Sequence, residues 1–165
     1  MGELGAFWGF SGVVGLLGYA IYRLVPRASV ALDSPLTSAQ WVFLVGFALF
    51  MLVAEGYRGF QKKFSPRTAA RVRYLLDHPT YLHVVLAPLF CMGYFHAKPR
   101  TRITSICLTA GIVLLVMLVG YLPSPWRGLV DFGVVVGLGY GILSFVVFTI
   151  KALCGEHFPH SPEVP

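Results

Sequence analysis

Stretches without a single Lys, Arg, Asp or Glu alternate with short polar breaks along this chain, at 4–22, 34–54, 79–97, 103–126 and 132–150. A helix rises 1.5 Å per residue, so about 20 apolar residues match a hydrocarbon core of about 30 Å. Each stretch is long enough to cross a bilayer, and the pattern predicts an all-α polytopic membrane bundle of five apolar helices. With their flanks the spans run over about 4–25, 36–56, 79–97, 103–122 and 129–151. The breaks carry turn chemistry, Asp33-Ser34-Pro35 and Pro123-Ser124-Pro125. None is long enough to fold separately. Residues 1–153 therefore read as one transmembrane domain, and 154–165 as a mobile, Pro-rich polar tail.

Two stretches depart from the simple pattern. The third apolar run holds His83, Pro88 and His96; Pro88 removes a backbone hydrogen bond and kinks a helix, which leaves a re-entrant path open beside a crossing. The polar segment 57–78 collects Arg58, Lys62, Lys63, Arg67, Arg71 and Arg73. Within it Ser65-Pro66 reads as an N-cap and N1 pair, and Ala69, Val72, Leu75 and Leu76 recur at helical spacing. The expectation is a basic amphipathic helix over 65–77, lying on the membrane surface with its cations against anionic headgroups.

Composition agrees with a bilayer as solvent. The 165 residues are 56% hydrophobic and 12% charged, with a mean hydropathy of +0.73; soluble domains carry about 25% charged residues. The net charge of +6 reads as membrane topology rather than nucleic-acid binding, because positive charge collects in cytoplasmic loops. Five crossings would divide the basic residues seven inside and six outside. Four crossings with 79–97 re-entrant divide them ten and three, as the positive-inside rule prefers. Length favours five, which sets the tail opposite the basic loop. In either case the loop 57–78 faces the cytoplasm. The first run has no preceding basic residue and no cleavage site, and reads as a retained span.

Candidate chemistry is sparse. Gly133, Gly137 and Gly141, continued by Ser144, recur every four residues, and Gly5, Gly9 and Gly12 stripe the first span. Such stripes let helix backbones approach closely, within the chain or between copies. Glu55 and Asp131 are the acids touching the spans, and with His83 they are the candidates for proton or ion handling. The structural alternative pairs Glu55 with Arg58 and Asp131 with Arg127 along one helical face. Imidazole ligates haem iron, so a b-type haem on His83 and a second histidine stays open, though no cofactor is predicted. A di-iron histidine-box site is excluded: there are five histidines and no adjacent pair. His157 and His160 fall in the tail. Cys91, Cys107 and Cys154 form no CxxC, and no P-loop, GxSxG or HExxH occurs. The sequence thus points to a small multi-pass membrane protein, a non-catalytic accessory or oligomer-forming component interacting with membrane lipids, itself or a larger complex. The alternative is a small transporter or channel subunit using Glu55 and Asp131.

Overall fold

The computed structural model describes residues 1–155 and 158–164, so His157 lies outside the described residues. Among the described residues every regular element is helical. Helix α1 spans Gly2–Asp33 and continues through Pro26, beyond the expected end near residue 25. A capping box on Thr37 and Gln40 starts α2, Ser38–Met51. The chain then widens into a π-helical segment, Leu52–Phe64, and tightens again into α3, Ser65–Asp77. These three pieces form one continuous helix, Ser38–Asp77. Two short helices follow, α4 (Tyr81–Val85) and α5 (Ala87–Met92), then α6 (Pro99–Gly120) and α7 (Trp126–Cys154).

Four helices are long and apolar enough to cross a membrane: Gly2–Asp33, Ser38–Asp77, Pro99–Gly120 and Trp126–Cys154. The third apolar run is not one of them. It breaks at Leu86, ahead of Pro88, and ends at Gly93, whose φ of 84° lies in the left-handed region that glycine enters freely. Gly93 also sits beneath α6, where a β-carbon would lie 3.1 Å from Thr101 and 3.3 Å from Ser105.

The first, second and last long helices form a three-helix core. Gly2 meets Leu76, and Ala31 meets Gly128, so α1 runs antiparallel to both Ser38–Asp77 and α7. Gly133 lies against Phe47, Gly137 against Met51 and Glu55, and Gly141 against Phe60. Gly5, Gly9 and Gly12 receive Val84, Cys91 and Pro88, which lays α4 and α5 along the first turns of α1. Both stripes read from sequence are therefore used inside the chain. Ser144 is half-buried, and its hydroxyl has no partner. Outside, α6 presents Ile103, Val113, Leu114, Val116 and Met117, each more than half exposed, the inverted pattern of a lipid-facing helix.

The basic helix occupies the expected residues in a different place. It continues the second long helix and packs between α1 and α7, burying Ser65, Thr68, Arg71, Val72 and Leu75, rather than lying on the surface. The helix runs unbroken from the π-helical segment through Pro66, so the proline does not start a new helix. The segment 158–164, expected to be mobile, packs against this same end of the bundle, where Arg71 and Lys98 donate to its carbonyls. The tail and the basic stretch thus share one end.

Glycine contacts of this tightness are testable within one helix. A β-carbon at Gly128 would stand 2.5 Å from the Arg27 carbonyl oxygen, whereas one at Gly139 meets nothing within 4 Å. Gly128→Ala should cost about 1–3 kcal/mol through forced helix separation, while Gly139→Ala should gain about 0.5–1 kcal/mol from helix propensity. Thermal unfolding in detergent separates the two; equal midpoints would contradict the packing.

Candidate functional site

Three elements end near one another at the basic end of the bundle: α3, the C-terminus of α5 and the segment 158–164. The link between them is Arg71, whose side chain is fully buried. A guanidinium has five N–H donors in a planar fork. Here Nε donates to the Pro162 carbonyl at 2.9 Å and Nη1 to the Phe90 carbonyl at 2.6 Å. Nη2 donates to the carbonyls of His96 and Glu163 at 3.1 and 3.3 Å. Phe90 is in the last turn of α5, where its carbonyl also accepts from the Gly93 N–H at 3.0 Å, and the guanidinium lies 4.8 Å from the Phe90 ring centroid. Arg73 similarly donates to Ala152 and Gly155 at the end of α7 and meets Asp77 at 3.9 Å.

His83 joins this knot through its ring. It stacks on Phe90 at 4.6 Å and meets His96 at 4.8 Å, with Phe95 at 6.1 Å, and its Nδ1 has no partner. Burial, with His96 and Arg71 beside it, pushes the imidazole below its ordinary value. Burial also pushes the Cys91 thiol up to about 12, which makes it an inert core group. Among the described residues no three His, Cys, Asp or Glu side chains gather as a metal site.

The two membrane acids stand elsewhere and apart. Glu55 lies over Gly137, and Asp131 is six residues, about 9 Å along the axis, nearer the start of α7. Neither forms its expected ion pair among the described residues: Glu55 Oε2 and Asp131 Oδ2 are buried without a hydrogen-bond partner. For Glu55 the reason is the π-helical segment, whose wider turns carry residue i+3 off the face of residue i. Arg127 donates instead to the Gly120 carbonyl, although it and Arg27 still act on Asp131 electrostatically. The structure does not bring Glu55, Asp131 and His83 together.

The six basic residues of 57–78 divide by environment. Arg58, Lys62 and Lys63 are exposed, Arg67 and Arg73 are intermediate, and Arg71 is sealed in. Sequence reasoning placed all six against lipid and missed the distinct role of Arg71. A signal was present: Thr68, Arg71, Val72 and Leu75 follow the i, i+3, i+4, i+7 spacing of a buried stripe. No family model, curated protein or solved structure matches this chain.

Replacing Arg71 by Met removes the donor that the Phe90, Pro162, His96 and Glu163 carbonyls share, leaving Phe90 only the Gly93 N–H and Glu163 only the Lys98 N–H, at about 1–3 kcal/mol. The variant should unfold earlier and expose residues 158–164 to protease. Arg71→Lys should recover only part of the loss, since an ammonium cannot span three chain segments with a planar fork. Wild-type protease resistance in Arg71→Met would contradict this role.

Proposed function

We propose that this protein is a non-catalytic multi-pass membrane component whose basic end engages anionic lipid headgroups on the cytoplasmic side. The observation that carries the reading is one-sided charge. A four-crossing arrangement sets ten of the thirteen Lys and Arg residues at one end and leaves Arg23, Arg27 and Arg127 at the other, the asymmetry of a cytoplasm-facing end. Seven of the ten are exposed: Arg58, Lys62, Lys63, Lys98, Arg100, Arg102 and Lys151. Helix α6 supports the depth assignment. Its 22 residues span about 33 Å, the thickness of the hydrocarbon core, so Arg100 and Arg102 in its first turn stand at headgroup level. Association with further copies or a larger complex would use faces other than Gly133, Gly137 and Gly141, which the chain already fills.

A second reading, proton or ion handling, is favoured by the unpartnered carboxylate oxygens of Glu55 and Asp131 in apolar helices. Their separation from one another and from His83 weighs for the headgroup reading.

One reconstitution addresses both. Near-surface basic residues each contribute about 1 kcal/mol against anionic lipid. The full chain in mixed bilayers should therefore retain phosphatidylglycerol over phosphatidylcholine by at least about tenfold through detergent extraction, with the preference shrinking in high salt. Equal retention would contradict the proposal. Proton flux abolished by Glu55→Gln would replace it with the second reading.

A further inference from the structure

Between the basic part of the second long helix, the first turns of α6 and residues 160–163 lies an open cleft of about 440 Å³. Four cations line it: Lys62, Lys63 and Arg67 from one side and Arg100 from the other. Hydroxyls of Thr101, Thr104 and Ser161 complete the wall. Among the described residues a single carboxylate lies in it, and that carboxylate comes from the C-terminal segment. Glu163 has its carboxyl group hydrogen-bonded by the Thr101 hydroxyl and 4.0 Å from Arg67. Thr101 is in the first turn of α6, so the negative charge is also placed at the positive end of a 22-residue helix.

The fit of Glu163 is incomplete. Among the described residues one negative charge stands among four positive ones, and Arg67 Nε stays buried without a hydrogen-bond partner. Its carboxylate oxygens leave the Thr104 hydroxyl to bond the Arg100 carbonyl within its own helix. Glu163 holds a φ of 51°, a left-handed conformation that a non-glycine residue adopts rarely. The backbone around it is fastened separately, since the Glu163 carbonyl accepts from Arg71 and from the Lys98 N–H. The side chain can therefore leave while the segment stays docked.

We propose that this cleft is a binding site for a phosphoryl anion and that the Glu163 carboxylate is its displaceable internal occupant. A phosphomonoester brings up to two negative charges and three acceptor oxygens. It can take the Arg67 fork, the Thr101 hydroxyl and the surrounding ammonium groups together, where a carboxylate satisfies only some of them. The depth of the cleft, at the start of α6, suits a phosphorylated lipid headgroup, and the same chemistry would hold free phosphate. The inference rests on the headgroup reading of the basic end and adds to it one defined site with a built-in competitor.

The full-length protein in an uncharged detergent is titrated with inorganic phosphate and, separately, with short-chain phosphatidic acid, by calorimetry. Three chains are compared: wild type, Glu163→Gln, and the double variant Lys63→Gln, Arg100→Gln. The double variant removes charges that are exposed and therefore tolerant of change, and gel filtration checks that all three remain folded. Glu163→Gln should bind at least about threefold more tightly than wild type, and the double variant at least about tenfold more weakly, each tenfold step being 1.4 kcal/mol. Tightening with both probes upholds the site with free phosphate as a source, and tightening with phosphatidic acid alone upholds it with the headgroup as the source. Equal or weaker binding by Glu163→Gln overturns the occupant role. Titrations unaffected by Lys63 and Arg100 overturn the cleft, and if phosphatidylglycerol retention in bilayers persists, the headgroup reading of the whole end survives that failure.

Discussion

A guanidinium sealed from solvent must find acceptors for its donors, and Arg71 finds them in three separate pieces of chain. It draws on a carbonyl in the last turn of α5, one in the loop before α6 and two in the segment 158–164. The requirement is reciprocal. Short helices leave carbonyls free at their ends, and a chain running over the bundle surface has none of the partners that a helix provides. One planar cation answers both needs, holds α5 against α3 and fixes the start of α6 beside the C-terminal segment. The cationic cleft exists because these walls are held at that spacing.

The rest of the bundle brings Arg71 to this place by close backbone packing. Aligned small residues let α7 approach Ser38–Asp77, and the glycines of α1 admit α4 and α5. The three core helices exceed the length needed for a hydrocarbon core, so each carries its ordered packing past the apolar slab. That overhang is where polar chemistry becomes affordable: carbonyls, cations and hydroxyls can be met by one another and by water. Within the slab the same polarity stays costly, which makes the unpartnered oxygens of Glu55 and Asp131 exceptions to the construction.

Much of this architecture could be read from the residues. Hydropathy marks lengths, and the four crossing-length helices correspond to four of the five charge-free runs. Residues 65–77 are helical, with Val72 and Leu75 on the buried face, but as the end of one continuous helix and without the expected Ser65 cap. The placement of that helix was not legible, since an amphipathic stripe is the same whether it meets lipid or protein. The π-helical segment has no marker in local propensity, and it shifts every residue from Glu55 to Phe64 relative to a regular helix. The fate of 79–97 turned on Pro88, which sequence identified as a kink and the structure uses as a full break. Arg71 could be separated from its neighbours only by noticing that it falls within the buried stripe. The carbonyls it meets come from segments 19 to 92 residues away, a distance that no local pattern reaches.

The account depends on the C-terminal segment and the basic stretch sharing one side of the membrane, because residues 158–164 could not otherwise reach Arg71. Cysteine accessibility measures this directly. With Cys91 and Cys107 replaced by Ser, Cys154 is compared with a cysteine introduced at Lys63 and another at Ser34, each in a separate chain in sealed vesicles of known orientation. The account predicts that a membrane-impermeant maleimide reaches positions 154 and 63 from the same side and position 34 from the opposite one. Labelling of 154 and 63 from opposite sides would establish an odd number of crossings between them and contradict the knot, the cleft and the reading built on both.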